Sequence, residues 1–287
     1  MTARLSARIR GRCLTVAIGV AMVVAAACSD IPTDPKIPFA IEFNRAPSPS
    51  VVLGQDMFDS LGIVRPLRAI VFNSKGDSIP GAAVTYHAVA GDSVPFTVNP
   101  TTGQVTGKAA PAFAGKIGRV YAQAGGLQSQ TIPVTATRSA DALIAIAPLD
   151  TDLVLRFTTT DPLPLSRSFS VRLRHTPVAG EAAGDTLVPA YLVRFRIVQP
   201  AAAATDTSYL MLTNGDRKRS ELDTTDANGV ASRIVRVRRV NFPFSKPAPG
   251  DTIVDTITIR ASAVRQNGTP VPTSGADFRL FVKARKQ

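Results

Sequence analysis

Val71-Phe72-Asn73-Ser74-Lys75-Gly76-Asp77-Ser78-Ile79-Pro80-Gly81-Ala82-Ala83-Val84-Thr85-Tyr86 decides how this chain folds. An apolar pair runs into Asn73-Ser74-Lys75-Gly76-Asp77, five residues that favour a reversal of the backbone. The chain then passes Pro80-Gly81 and resumes with Val84 and Tyr86, which alternation sends to one face of a strand. Strand, turn, strand is the unit.

Working outward, the same grammar holds on both sides. Leu67 to Phe72 and Ala83 to Ala88 read as strands flanking the turn. Phe96 to Val98 follows, then Gly103 to Thr106 after Pro100-Thr101-Thr102. Arg119 to Ala124 turns through Gly125-Gly126 into Thr131 to Ala136. Short strands at this regular spacing, punctuated by turn residues, predict a β-sandwich or barrel. No stretch sustains a helical period.

The theme returns in Val188-Pro189-Ala190-Tyr191-Leu192-Val193-Arg194-Phe195. Val84 and Val193 stand four residues after a proline, and Tyr86 and Phe195 stand six after it. That spacing points to an internal repeat. Further strands are expected at Phe169 to Arg174, Arg233 to Arg238, Thr256 to Ala263 and Phe278 to Ala284. Residues 139–152 read equally as a junction or as a first strand.

Val71 to Tyr86, Thr102-Gly103-Gln104-Val105-Thr106-Gly107 and the hairpin Val120 to Val134 resemble successive parts of a bacterial immunoglobulin-like domain. Thr224-Thr225-Asp226-Ala227-Asn228-Gly229-Val230-Ala231 looks like one stage of the invasin- and intimin-type members. The resemblance implies an all-β chain of two immunoglobulin-like β-sandwich domains in tandem, at 39–138 and 139–287. The second exceeds the usual ~100 residues of such a sandwich. Its excess is expected in loops at 175–187, 199–207 and 240–252, where a sandwich carries binding residues.

The first 12 residues hold Arg4, Arg8, Arg10 and Arg12 and no acid, and 13–27 hold no charge. A basic start, a short apolar run and Ala25-Ala26-Ala27 describe an export signal, and the run is too short to span a bilayer. Cys28 directly after the alanines resembles the bacterial lipoprotein signal, although Ala25 stands where that family usually has Leu. The resemblance implies cleavage after residue 27, a lipid on Cys28 and, with Ser29 next, the outer membrane. An ordinary secretory signal or an uncleaved anchor is the alternative. The proline-rich segment 28–38 would be the tether.

The net charge of +12 is uneven. Residues 28–150 balance nine basic against nine acidic groups, whereas 151–287 carry 20 against 12. Three Arg pairs flank apolar residues: Arg172 and Arg174, Arg194 and Arg196, Arg236 and Arg238. Alternation turns them away from the core, either as a solvated face or as contacts for an anionic polymer. Asp226-Ala227-Asn228-Gly229 lacks the ligand spacing of a calcium loop and reads as a tight turn. There is no nucleophile elbow, no zinc-protease pair and no phosphate loop, and the only histidines are His87 and His175. The chain is therefore expected to be no enzyme and to need no cofactor or metal, and to bind no nucleic acid. The expected role is a cell-envelope lipoprotein with a structural or adhesive function, partnered by the membrane and by envelope glycan or another surface protein. The alternative is a binding module that takes anionic envelope polysaccharide on its basic second domain.

Overall fold

The computed structural model describes residues 34–43, 45–91, 94–156, 165–184, 186–199, 210–237, 252–274 and 276–285. The export signal, Cys28, Arg238 and most of the expected loops at 199–207 and 240–252 lie outside them. The chain is all-β. Among the described residues the one helical turn is a 3-10 turn at Pro111–Phe113.

The N-terminal half contributes β1 (Ala40–Glu42), β2 (Ser50–Val52), β3 (Ile70–Phe72), β4 (Thr85–Ala88) and β5 (Phe96–Val98). It continues with β6 (Val105–Gly107), β7 (Ile117–Ala124), β8 (Leu127–Gln128) and β9 (Ile132–Thr137). The main sheet runs β2-β9-β7-β4, and β1-β3 and β5-β6 form two-stranded ribbons. Along β7 exposure alternates residue by residue, so Val120, Ala122 and Ala124 face inward as their spacing requires. Val120 and Ala122 meet Met57, Leu67, Tyr86, Phe96 and Val134 in one core.

The C-terminal half begins with β10 (Ala142–Ala145), β11 (Asp150–Arg156), β12 (Leu165–Arg174), β13 (Leu192–Gln199) and β14 (Leu210–Thr213). It ends with β15 (Leu222–Thr224), β16 (Val230–Val237), β17 (Thr252–Ser262), β18 (Thr273–Ser274) and β19 (Asp277–Arg285). One sheet runs β14-β16-β12-β10-β18 and the other β11-β19-β17-β13-β15. Their inner faces meet: Phe169, Val171 and Leu173 of β12 share a core with Val193 and Phe195 of β13 and Ile257 and Ile259 of β17. Phe169 and Phe278 touch across it, ring centres 5.3 Å apart. Each such side chain withdrawn from water contributes about 1.5–3 kcal/mol.

The two halves repeat one sheet order. β2-β9-β7-β4 corresponds to β11-β19-β17-β13, and in both the first strand runs parallel to the last. β4 carries Tyr86 and β13 carries Phe195, so the proline-valine-aromatic spacing marks the same place in each sheet. Of residues 139–152, Ala142–Ala145 pairs with β12 and Asp150 opens β11. The expected strand at Leu67 is shorter than its apolar run. Leu67 is buried, but its N–H donates to Gly103 O (2.9 Å), and ladder pairing starts at Ile70.

Candidate functional site

Of the arginines singled out in the sequence, the five among the described residues do not form one surface. Arg172 and Arg174 belong to β12 and Arg236 to β16, in one sheet. Arg194 and Arg196 belong to β13, in the other. With the core between the sheets, outward side chains of the two sets point to opposite sides of the molecule. Arg174 and Arg196 are exposed, and Arg172 and Arg194 are half-buried.

Arg236 departs from expectation. It is 2% exposed, and its Nε donates to Thr213 Oγ1 at 3.0 Å. It sits on an inner strand, flanked by Leu165 of β12 and Met211 of β14. Alternation names a face, but a face crowded by neighbouring strands is not open to a polymer. Arg194 is also engaged, its Nη2 donating to Ser60 Oγ at 2.8 Å. Arg196 lies opposite Arg260, which is itself paired with Asp277 at 2.7 Å.

Arg233, which the sequence reading passed over, shares the inward face of β16 with Ala231 and Val235. Its Nη1 stands 2.8 Å from Asp223 Oδ1, and it also donates to Ser220 Oγ (3.2 Å) and to the Leu222 carbonyl. Asp223 Oδ2 in turn accepts Ser232 N–H at 2.7 Å. The short edge strand β15 is thereby bound to both β13 and β16.

His175 is buried rather than free at a loop entrance. Its Nε2 lies 2.7 Å from Glu181 Oε2, and its Nδ1 lies 3.0 Å from Asp141 Oδ2 and 3.0 Å from Ser139 O. Arg138 Nε pairs with the other Glu181 oxygen at 3.0 Å. The Val178 N–H, and then His175 and Arg138 against the opposing effect of burial, hold the Glu181 carboxyl down to about 2. This knot staples residues 175–181 to the segment joining the halves. Its carboxylates are committed to internal partners.

His87 stacks on Tyr121 with ring centres 5.2 Å apart, and its Nε2 is 2.9 Å from Thr85 Oγ1. Asp226 Oδ1 accepts Asn228 N–H (2.8 Å) and Val230 N–H (2.9 Å), the geometry of a side-chain-capped turn. Among the described residues, no cluster of three His, Cys, Asp or Glu could hold a metal ion, and no helix is long and apolar enough to cross a membrane.

Side-chain packing and hydrogen bonds also join the halves. Phe58 meets Tyr191 edge to face, ring centres 6.0 Å apart, and with Val52 it belongs to the core of the C-terminal half. Thr137 Oγ1 donates to Pro189 O at 2.7 Å, and Tyr191 hydroxyl donates to Val264 O at 2.8 Å. Gly62 is pressed on the hairpin after β17: a Cβ there would lie 2.2 Å from Arg265 O and 2.5 Å from Gly268 N. Asp59 holds the loop shape. Burial raises its pKa, but the N–H groups of Leu61 and Ile63 and the Arg65 guanidinium outweigh this and leave it lowered.

No protein-family profile matches the chain. No curated protein matches it either. Among solved structures, domains 4–9 of the surface layer protein SbsC are 14% identical over 87% of this chain and 32% of their own length, with a TM-score of 0.28. The Yersinia pseudotuberculosis adhesin InvE is 11% identical over 81% of this chain and 56% of its own, with a TM-score of 0.29. Human protocadherin-24 EC1-2 is 12% identical over 88% of this chain and 100% of its own, with a TM-score of 0.26. The chain thus spans about a third of the S-layer fragment and just over half of the adhesin. Likeness at this level says nothing of what this chain binds.

Proposed function

We propose that the chain is an exported, non-catalytic envelope protein that holds two immunoglobulin-like modules in a fixed mutual orientation, as a structural or adhesive spacer. The observation that carries this reading is the junction. Phe58, Gly62, Thr137 and Arg194 tie the halves by packing and hydrogen bonds, where a mere linker would leave them free. A diacylated Cys28 would tether the array to a membrane, since two acyl chains anchor stably. The outer membrane is the destination this reading assigns.

Two measurements test it. Small-angle scattering of the purified chain should fit one rigid arrangement of the described residues. A profile that requires independently tumbling halves would refute the fixed spacer. In cells, Cys28→Ser should move the protein from the membrane to the soluble fraction, and retention at the membrane would refute the lipid.

A further inference from the structure

A cleft in the N-terminal half gathers three arginines that the sequence reading left unremarked. Arg45, Ala46 and Pro47 form one wall, and Arg65, Pro66 and Arg68 the other, around an open concavity of about 380 Å³. Both walls are anchored to the interior. Phe43 is buried before the first wall, and Ser48 and Ser50 are buried after it. In the second wall Arg65 N–H donates to Met57 O (3.1 Å) and Leu67 N–H to Gly103 O (2.9 Å), with Leu67 itself 1% exposed. Each wall also carries a proline, which fixes φ and stiffens the backbone.

Charge in the cleft is unbalanced. Arg65 Nε pairs with Asp59 Oδ2 at 3.2 Å. Both oxygens of Asp59 are already engaged, Oδ1 by the N–H groups of Leu61 and Ile63. Arg45 and Arg68 are exposed and have no ion pair among the described residues. Three guanidinium groups against one carboxylate leave a formal surplus of two positive charges. Elsewhere carboxylates answer many of the cations: Asp150 meets Arg279, Asp152 meets Lys283, Asp277 meets Arg260 and Asp141 meets Arg265.

We propose that this cleft binds an acidic saccharide unit, its anionic group on Arg45, Arg65 and Arg68 and its ring against Pro47 and Pro66. Guanidinium forks match the two oxygens of a carboxylate or the oxygens of a sulfate ester. The apolar proline faces suit the C–H side of a sugar ring, and a concave wall that sets charged groups beside apolar ones can fix both the position and the sign of a small ligand. The inference adds a ligand class to the spacer reading and does not depend on it. A chain with mobile halves would still carry the cleft.

The test is calorimetric titration of the full purified chain with a hyaluronan oligosaccharide, a heparin oligosaccharide, a neutral maltooligosaccharide and inorganic phosphate. The variants are Arg45→Gln/Arg68→Gln and, as a control on both faces of the other half, Arg174→Gln/Arg196→Gln. Circular dichroism and the urea midpoint establish that each variant is folded. The expected result is binding of at least one acidic oligosaccharide and none of the neutral one. The first variant should weaken it at least about tenfold, the control should leave it unchanged, and affinity should fall as salt rises to about 150 mM. The hyaluronan and heparin arms separate carboxylate from sulfate as the bound group. The proposal is overturned if no acidic oligosaccharide binds, if phosphate alone binds, if the first variant binds as wild type does, or if only the control loses binding.

Discussion

Ala190 stands at φ +58°, in the left-handed region, directly after Pro189. The matching residue after Pro80 is Gly81, at φ +74°. The repeat therefore keeps the backbone shape while one copy keeps a Cβ that resists it. A left-handed alanine costs about 1–2 kcal/mol, and glycine returns about 0.4–1 kcal/mol in unfolded-state entropy. Ala190→Gly is thus expected to stabilise the chain by ~0.5–1 kcal/mol, read as a higher urea midpoint with an unchanged slope. Glu181 carries a second prediction. Its carboxyl is held to about 2 in the fold against an ordinary 4.5, so its contribution is whole above pH 4.5 and is lost as pH falls toward 2. The stability gap between wild type and Glu181→Gln should shrink across that window in urea titrations at successive pH values. A gap constant from pH 6 to pH 2 would contradict it. The Pro-to-Val spacing was legible in the sequence because it follows from strand period. The Glu181 knot was not, because it brings Arg138, Asp141 and His175 together across a loop.

At the scale of strands, alternation succeeded where one face meets the core and the other meets water. β7 is such a strand, and Val120, Ala122 and Ala124 lie where period-2 reading puts them. β16 is not. Both of its faces hold buried side chains, Arg233 on one and Arg236 on the other. Residue type alone marks arginine as outward, and only the pairing order reveals that partners await it inside. The Arg233–Asp223 pair gives that idea a measurable form. Arg233 is 8% exposed in its side chain and Asp223 25%. Removing the carboxylate leaves a buried guanidinium short of its partner, so Asp223→Ala should cost about 3 kcal/mol, the low end for a broken buried pair because Asp223 is partly wet. The loss should appear first in β15, whose amide protons should exchange faster than those of β17. Equal protection of both strands in the variant would show that the pair does not hold the edge.

Across the whole molecule, the question is whether the two halves behave as one body. The contacts that answer it span long distances in sequence, such as Ser60 to Arg194, and no periodicity or motif announces them. Only the repeat was readable; the way its copies lock was not. Phe58 sits with the core of the other half, so unfolding either half exposes apolar surface that the other had covered. That shared burial couples the two transitions. Phe→Ala in such a setting costs about 3–5 kcal/mol, part of it coupling rather than local packing. Gly62→Val attacks the same contact from the backbone, because no Cβ fits 2.2 Å from Arg265 O and the loop must lift. Calorimetry of wild type should therefore give a single transition, with measured and van't Hoff enthalpies equal. Phe58→Ala combined with Gly62→Val should split it in two, the earlier melting belonging to whichever half has the smaller core. The N-terminal cluster, built on Met57, Leu67, Phe96 and Val120, is the smaller and should melt first. Two transitions already in wild type would mean that the junction transmits no stability between the halves, and the fixed-orientation reading would lose its energetic basis.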